Sequence, residues 1–216
     1  MIRRLLPLLL LVTLAGCFRE AQGPIVKSRT QPTAQPQTGP NATSNPVIEI
    51  VTDKGTITAE LFAQRAPKSV ANFLAYIEDN HFDGLVFHRV MKSFMIQGGG
   101  FDRSGIERSS QHPPIENEST NRISNLRYTL SMARTPNPHS ATSQFFINTG
   151  DNIGLDHRSR SRGEWGYCVF GKVLSGKRTV DAIAAGLVDR TDPRDPESEL
   201  SKPRIPIVIQ TIRRKQ

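Results

Sequence analysis

Residues 85–100, LVFHRVMKSFMIQGGG, place His88 and Arg89 inside a run dominated by Leu85, Val86, Phe87, Val90, Phe94, Met95 and Ile96. An unpaired charge in apolar surroundings costs several kcal/mol, so an arginine held there is either paired or in use. Its guanidinium stays charged at any physiological pH and presents a planar fan of donors. Other chemistry-bearing patterns in the chain are weaker. GYCVFGK, residues 166–172, fits G-x-x-x-x-G-K, but Val173 replaces the Ser or Thr that would reach magnesium, and the run reads as a strand. Gly98-Gly99-Gly100 ends a strand and lacks the βαβ setting of a dinucleotide site. His81, His88, His112, His139 and His157 show no zinc-ligand spacing, and Cys168 reads as a small core hydrophobe. His88 alternates with Arg89, so it is expected to face the other way as a satisfied structural histidine. No metal or cofactor is called for.

The elements that must position Arg89 can be read from periodicity. VIEIVTDKGTITAELF alternates apolar and polar residues on either side of Asp53-Lys54-Gly55, which predicts a β-hairpin turning at Gly55. RAPKSVANFLAYIED puts Val70, Phe73, Leu74 and Ile77 on one helical face, with Pro67 in the first turn. Strands are predicted at 85–90, 94–98, 128–132, 144–149, 166–173 and 205–212. A second helix fits GKRTVDAIAAG, with Val180, Ile183 and Ala184 facing inward. Many strands and two helices imply a mainly β fold, a closed antiparallel sheet whose openings the helices cap. There is no internal repeat, and 216 residues suffice for one domain with extra segments.

The extra segment lies at the front. MIRRLLPLLLLVTLAGC begins with a basic pair and continues as an apolar run too short for an ordinary spanning helix. Its end, Leu14-Ala15-Gly16-Cys17, resembles a bacterial lipobox. That resemblance implies a signal peptide over 1–16, cleavage before Cys17, and lipidation of Cys17. Residues 17–46, rich in Pro, Thr, Gln, Asn and Ser, cannot bury enough apolar surface to offset their ordering entropy, and they read as a disordered spacer. The folded domain is expected over 47–216. The net charge of +8 comes from scattered residues; Arg158, Arg160 and Arg162 and the tail Arg213-Arg214-Lys215 read as solvated loop and tail charge. The export signal and the lack of an aromatic–basic stripe argue against nucleic acid as a partner.

At FHRVMKSFMIQGG, and over about 47–216 in all, the domain resembles the cyclophilins, the peptidyl-prolyl cis-trans isomerases. YTLSMAR at 128–134, SQFFI at 143–147, VFGKV at 169–173 and the Asn72-Phe73 pair follow the same pattern. MARTPNPHSATSQFFINTGDN and WGYCVFGKV are closer to the bacterial type. The resemblance implies an eight-stranded antiparallel β-barrel capped by two helices. It also implies rotation of X–Pro bonds in proline-containing peptides, with no cofactor, by a domain acting as a monomer. Position by position, Arg89 falls on the catalytic arginine, and Gln97 and Gln144 on the glutamines that contact the peptide, Gln97 also helping to hold Arg89. Phe94, Met95, Phe146, Leu155 and Tyr167 fall on the proline pocket. Ala133, Arg134 and Thr135 fall on the segment that pairs with the substrate's backbone. The resemblance taken with the front segment implies a lipid-anchored, extracytoplasmic isomerase acting on exported polypeptides from the periplasmic side of a bacterial membrane. The alternative of another class is a non-catalytic proline-peptide scaffold. Two positions depart from common members of the family. Tyr167 stands where many eukaryotic members have histidine, and Gly154 stands where an aromatic usually precedes the leucine. The second departure implies weak cyclosporin binding and leaves open whether Trp165 leans back into the space.

Overall fold

The computed structural model describes residues 44–161, 163–191, 194 and 198–215. Strands β1 (Val47–Thr52) and β2 (Gly55–Leu61) form the expected hairpin. Gly55 takes φ +125° at its turn, where Thr52 Oγ1 donates to the Gly55 carbonyl at 2.7 Å. Helix α1 (Pro67–Glu78) starts on Pro67 and buries Val70, Phe73, Leu74 and Ile77, the predicted face. After it come β3 (Leu85–Met91), β4 (Met95–Asp102), β5 (Thr129–Met132), β6 (Phe145–Asn148) and β7 (Val169–Ser175). Helix α2 (Lys177–Ala184) buries Val180, Ile183 and Ala184. The chain ends with β8 (Val188–Arg190), β9 (Leu200–Pro203) and β10 (Ile209–Arg214).

Eight strands form one antiparallel sheet in the order β10-β1-β2-β7-β5-β6-β4-β3. The edges β3 and β10 meet along a thin seam. There the Gly84 amide donates to the Ile209 carbonyl at 2.9 Å, the Phe87 amide donates to the Ile207 carbonyl at 3.0 Å, and Val86 bridges Val208. The result is a nearly closed barrel with two helices. Its interior is packed by aromatic rings: Phe73 lies 4.9 Å from Phe82, 5.2 Å from Phe145 and 5.1 Å from Phe170. Side-chain alternation along the strands sends Val90, Ile96, Phe145 and Ile147 into this core.

The C-terminal region differs from the prediction. β8 and β9 pair as a separate two-stranded sheet, which no strand pattern in the sequence announces, and β9 packs on β3. The last barrel strand begins at Ile209 rather than at residue 205, because Pro206 has no amide hydrogen to give a ladder. Among the described residues no helix is long and apolar enough to cross a membrane, and no cluster of His, Cys, Asp and Glu could hold a metal ion.

Candidate active site

The same alternation that fills the barrel builds a second, smaller apolar cluster on the other face of the same strands. Met95 at the head of β4, Phe146 of β6 and Ala133 just past β5 are buried in it. Met91, Phe94, Leu155 and Tyr167 pack against them. Phe94 occupies the tight turn between β3 and β4, where its carbonyl accepts from the Thr149 amide at 2.9 Å and from Asn152 Nδ2 at 2.7 Å. Leu155 ends a short 3-10 turn, and its carbonyl accepts from the Tyr167 amide at 2.9 Å, so both side chains arrive together. The Tyr167 ring stands edge-on to Phe146 at 5.6 Å. All seven side chains are apolar or aromatic, and several remain half-exposed, which suits a pocket for a small apolar ring.

Polar groups line one side of this pocket. Arg89 lies opposite Gln97 in the β3–β4 ladder, and its guanidinium carbon is 6.0 Å from the centre of the Phe94 ring. Arg89 Nη1 reaches Gln97 Oε1 at 3.4 Å and Met95 Sδ at 3.8 Å. Gln97 Nε2 in turn donates to Gln144 Oε1 at 2.9 Å. Room for Gln144 comes from Gly100, where an added Cβ would stand 2.5–2.7 Å from its side chain. Gly99, at φ +87°, turns the backbone just before it. The triple glycine set aside as a nucleotide motif therefore shapes this edge of the site.

The other edge of the Arg89 guanidinium is occupied. Nε donates to Glu199 Oε1 at 2.6 Å and Nη2 to Glu199 Oε2 at 2.5 Å. The hydrogen bond from Arg89 holds the Glu199 carboxyl below its usual range, and the same bond raises the arginine, each against the opposing effect of burial. Both side chains are about one-third exposed, 32% and 34%, so water still screens the pair. Sequence reasoning missed Glu199, which lies 110 residues away in a stretch without periodicity.

Arg134 stacks over the Tyr167 ring at 4.5 Å while its Nε donates to the Gly166 carbonyl at 3.0 Å. Thr135 lies outside the cluster, and its backbone is already engaged: its amide donates to Ser140 Oγ at 2.9 Å and its carbonyl accepts from Arg134 Nη1 at 2.9 Å. Its expected pairing with a substrate backbone therefore meets groups that have partners. Gly154 faces open space, with nothing within 4 Å of a Cβ built on it. Trp165 does not fill that space; it packs on His139 at 4.7 Å and His157 at 5.6 Å.

His88 stays out of the cluster but is not satisfied as expected. Its ring lies against Phe101 at 4.6 Å, its Nδ1 has no hydrogen-bond partner, and burial pushes its pKa down to about 4. A β-bulge between Phe87 and Arg89 also breaks the simple alternation by which it was assigned. It is a neutral packing group at pH 7. The signal segment, Cys17, the spacer up to residue 43, and Arg162 lie outside the described residues.

An apolar pocket flanked by a fixed guanidinium and two amides, with no nucleophile, fits catalysis by twisting rather than by bond making. The family model described as "Cyclophilin type peptidyl-prolyl cis-trans isomerase/CLD" matches residues 47–212. The chain belongs to the cyclophilins. It is 52% identical over 136 residues to "Peptidyl-prolyl cis-trans isomerase cyp18" of Streptomyces antibioticus, covering 63% of this chain and 81% of that protein. It is 47% identical over 137 residues to "Peptidyl-prolyl cis-trans isomerase B" of Escherichia coli, covering 63% and 83%, and 43% identical over 170 residues to "Peptidyl-prolyl cis-trans isomerase A" of Dickeya dadantii, covering 79% and 85%. Among solved structures, a Cryptosporidium parvum cyclophilin type isomerase superposes with a TM-score of 0.63 at 26% identity, covering 80% of this chain and 98% of that one. This cyclophilin is thus a peptidyl-prolyl cis-trans isomerase, and its substrates are proline-containing peptides.

Proposed function

We propose that this cyclophilin is a lipid-anchored, extracytoplasmic isomerase that assists the folding of exported polypeptides, with Arg89 as its catalytic residue. An X–Pro bond rotates slowly because amide resonance sets a barrier of about 18–20 kcal/mol. Twisting the bond breaks conjugation and returns a lone pair to the prolyl nitrogen. A cationic donor aimed at that nitrogen, or at its flanking carbonyl, binds the twisted form better than either planar one. An acceleration of about 10⁵ needs about 7 kcal/mol of such differential binding. A charge-assisted hydrogen bond in a partly dry groove is the natural main contributor.

What carries this reading is Arg89 Nη1, which lies beside Gln97 and Met95 at the edge of the apolar pocket. The proline ring would sit among Phe94, Met95, Phe146, Leu155 and Tyr167. Gln97 and Gln144 would orient the peptide, and Ala133 and Arg134 would lie along its backbone. Attachment to the membrane rests on the sequence Leu14-Ala15-Gly16-Cys17.

A protease-coupled assay on a proline tetrapeptide tests the chemistry. Wild type should be active, and Arg89→Ala should lose roughly 10²–10³-fold in kcat/KM, as when a preorganised oxyanion donor is removed. An inactive wild type that still binds the peptide would favour the scaffold reading. Cys17→Ser should move the protein from the membrane fraction to the soluble fraction with activity intact; unchanged membrane retention would remove the anchor.

A further inference from the structure

We infer that Glu199 is a positioning residue for the isomerase reaction, holding the Arg89 guanidinium in its working orientation from behind. The inference rests on Arg89 being the catalytic group.

Glu199 directly precedes β9, in the two-stranded β8–β9 sheet that packs against β3. Its two oxygens take Nε and Nη2 of Arg89 at 2.6 and 2.5 Å, a side-on bidentate grip that fixes both the position and the plane of the guanidinium. The carboxylate is itself held, because Ser201 Oγ, on a fully buried serine, donates to Oε1 at 2.5 Å. The β8–β9 sheet therefore reaches the arginine through an oriented carboxylate.

The side of approach distinguishes support from blockage. Glu199 uses the Nε–Nη2 edge. Nη1, with both of its hydrogens, faces Gln97 Oε1 at 3.4 Å and Met95 Sδ at 3.8 Å, members of the pocket rim and pocket wall. The remaining Nη2 hydrogen faces Met91 Sδ at 3.3 Å, again a pocket residue. Among the described residues, the hydrogen bonds to the Glu199 carboxylate come from Arg89 and Ser201, and of these only Arg89 lines the pocket. A carboxylate acting as a brake would take the donors that face the pocket; this one leaves them to the side chains of the pocket itself. An arginine side chain has about 2 kcal/mol of rotamer entropy, and holding it beforehand spares the transition state that loss. The partly screened negative charge weakens the cation's field to some degree, but orientation is what a single, distance-sensitive hydrogen bond to a twisting nitrogen demands.

Glu199→Ala and the isosteric Glu199→Gln test this in the intact protein, with circular dichroism and Tm as the check on folding. The expected result is a roughly tenfold fall in kcat for Glu199→Ala with KM changed less than about twofold, and a smaller fall for Glu199→Gln, which keeps an acceptor. In an Arg89→Lys background, whose ammonium cannot make the side-on grip, Glu199→Ala should have no further effect, a coupling that a merely structural role would not produce. The Arg89 Nε–H proton signal should be resolved and slowly exchanging in wild type and lost in Glu199→Ala. Unchanged kcat would make Glu199 a bystander, and raised kcat would make it a brake; either overturns the inference while leaving Arg89 catalytic. Arg89→Ala as active as wild type would remove the role of Arg89, and this inference with it.

Discussion

Gly100→Ala should damage catalysis while leaving stability almost unchanged. The Gly100 backbone is outside the left-handed region, so alanine meets no backbone strain. Its Cβ would stand 2.5 Å from Gln144 Nε2, 2.6 Å from Cδ and 2.7 Å from Cγ. That overlap is with a flexible side chain on the half-exposed outer face, so Gln144 moves and the barrel does not. Moving it breaks the 2.9 Å bond from Gln97 to Gln144, a net loss of about 0.5–1.5 kcal/mol. The lost freedom of the unfolded chain returns about 0.4–1 kcal/mol. The two nearly cancel, leaving a stability change within about 1 kcal/mol. Displacing Gln144 from the peptide groove should lower kcat/KM roughly tenfold, equivalent to about 1.4 kcal/mol. Urea titration and the proline tetrapeptide assay read both quantities. Gln144→Ala should match this loss, and the double variant should be no worse than Gln144→Ala alone, because both changes act through one side chain. Activity within twofold of wild type, or additive losses in the double variant, would refute the reasoning.

Other outcomes follow from the same packing. Burial pushes the His88 pKa down to about 4 from 6.5, so between those values the unfolded chain binds the extra proton; stability should fall by up to about 3 kcal/mol as pH drops through that window. Burial lowers His81 too, with the same sign, so His88→Phe should flatten much but not all of the slope in urea titrations from pH 7 to 4.5; an unchanged slope would exonerate His88. The buried Cys168 thiol is pushed up to about 12, so in a Cys17→Ser background it should resist aromatic disulfide reagents at pH 8 until the protein unfolds, and prompt labelling of native protein would contradict this. With Gly154 facing open space, cyclosporin should inhibit weakly and Gly154→Trp should strengthen it; submicromolar inhibition of wild type would overturn the expectation.

Most of the barrel was legible because period-two alternation and local turn chemistry encode it. Val90 and Ile96 against Met95 and Gln97 already separate an inner from an outer face. The pocket residues were legible through their resemblance to the family, since an outward Phe146 and an inward Phe145 look alike in sequence. What was not legible depends on distance. Glu199 meets Arg89 only because β9 folds back onto β3, and no local pattern in ESELSKP announces that partner. The initial expectation that Arg89 must be paired or in use was right in general form, yet a partner 110 residues along the chain cannot be read from strand periodicity. The Phe87–Arg89 bulge is likewise invisible beforehand, because its extra residue is defined only against the opposing strand.

The thin seam between β3 and β10 has a consequence for heat tolerance. On one side β3 is held by a ladder to β4 that runs from Leu85 to Met91, with breaks in register around Phe87; on the other it is held by two amide bonds, at Gly84 and Phe87, and one bridge. Local opening is cheapest where the fewest bonds must part, so the barrel should breathe there first. The strand that lifts carries Arg89, whereas Phe146 belongs to β6 in the interior of the sheet and Gln144 directly precedes that strand. Warming should therefore silence the enzyme reversibly some degrees before it melts, even with Glu199 gripping Arg89 on that strand.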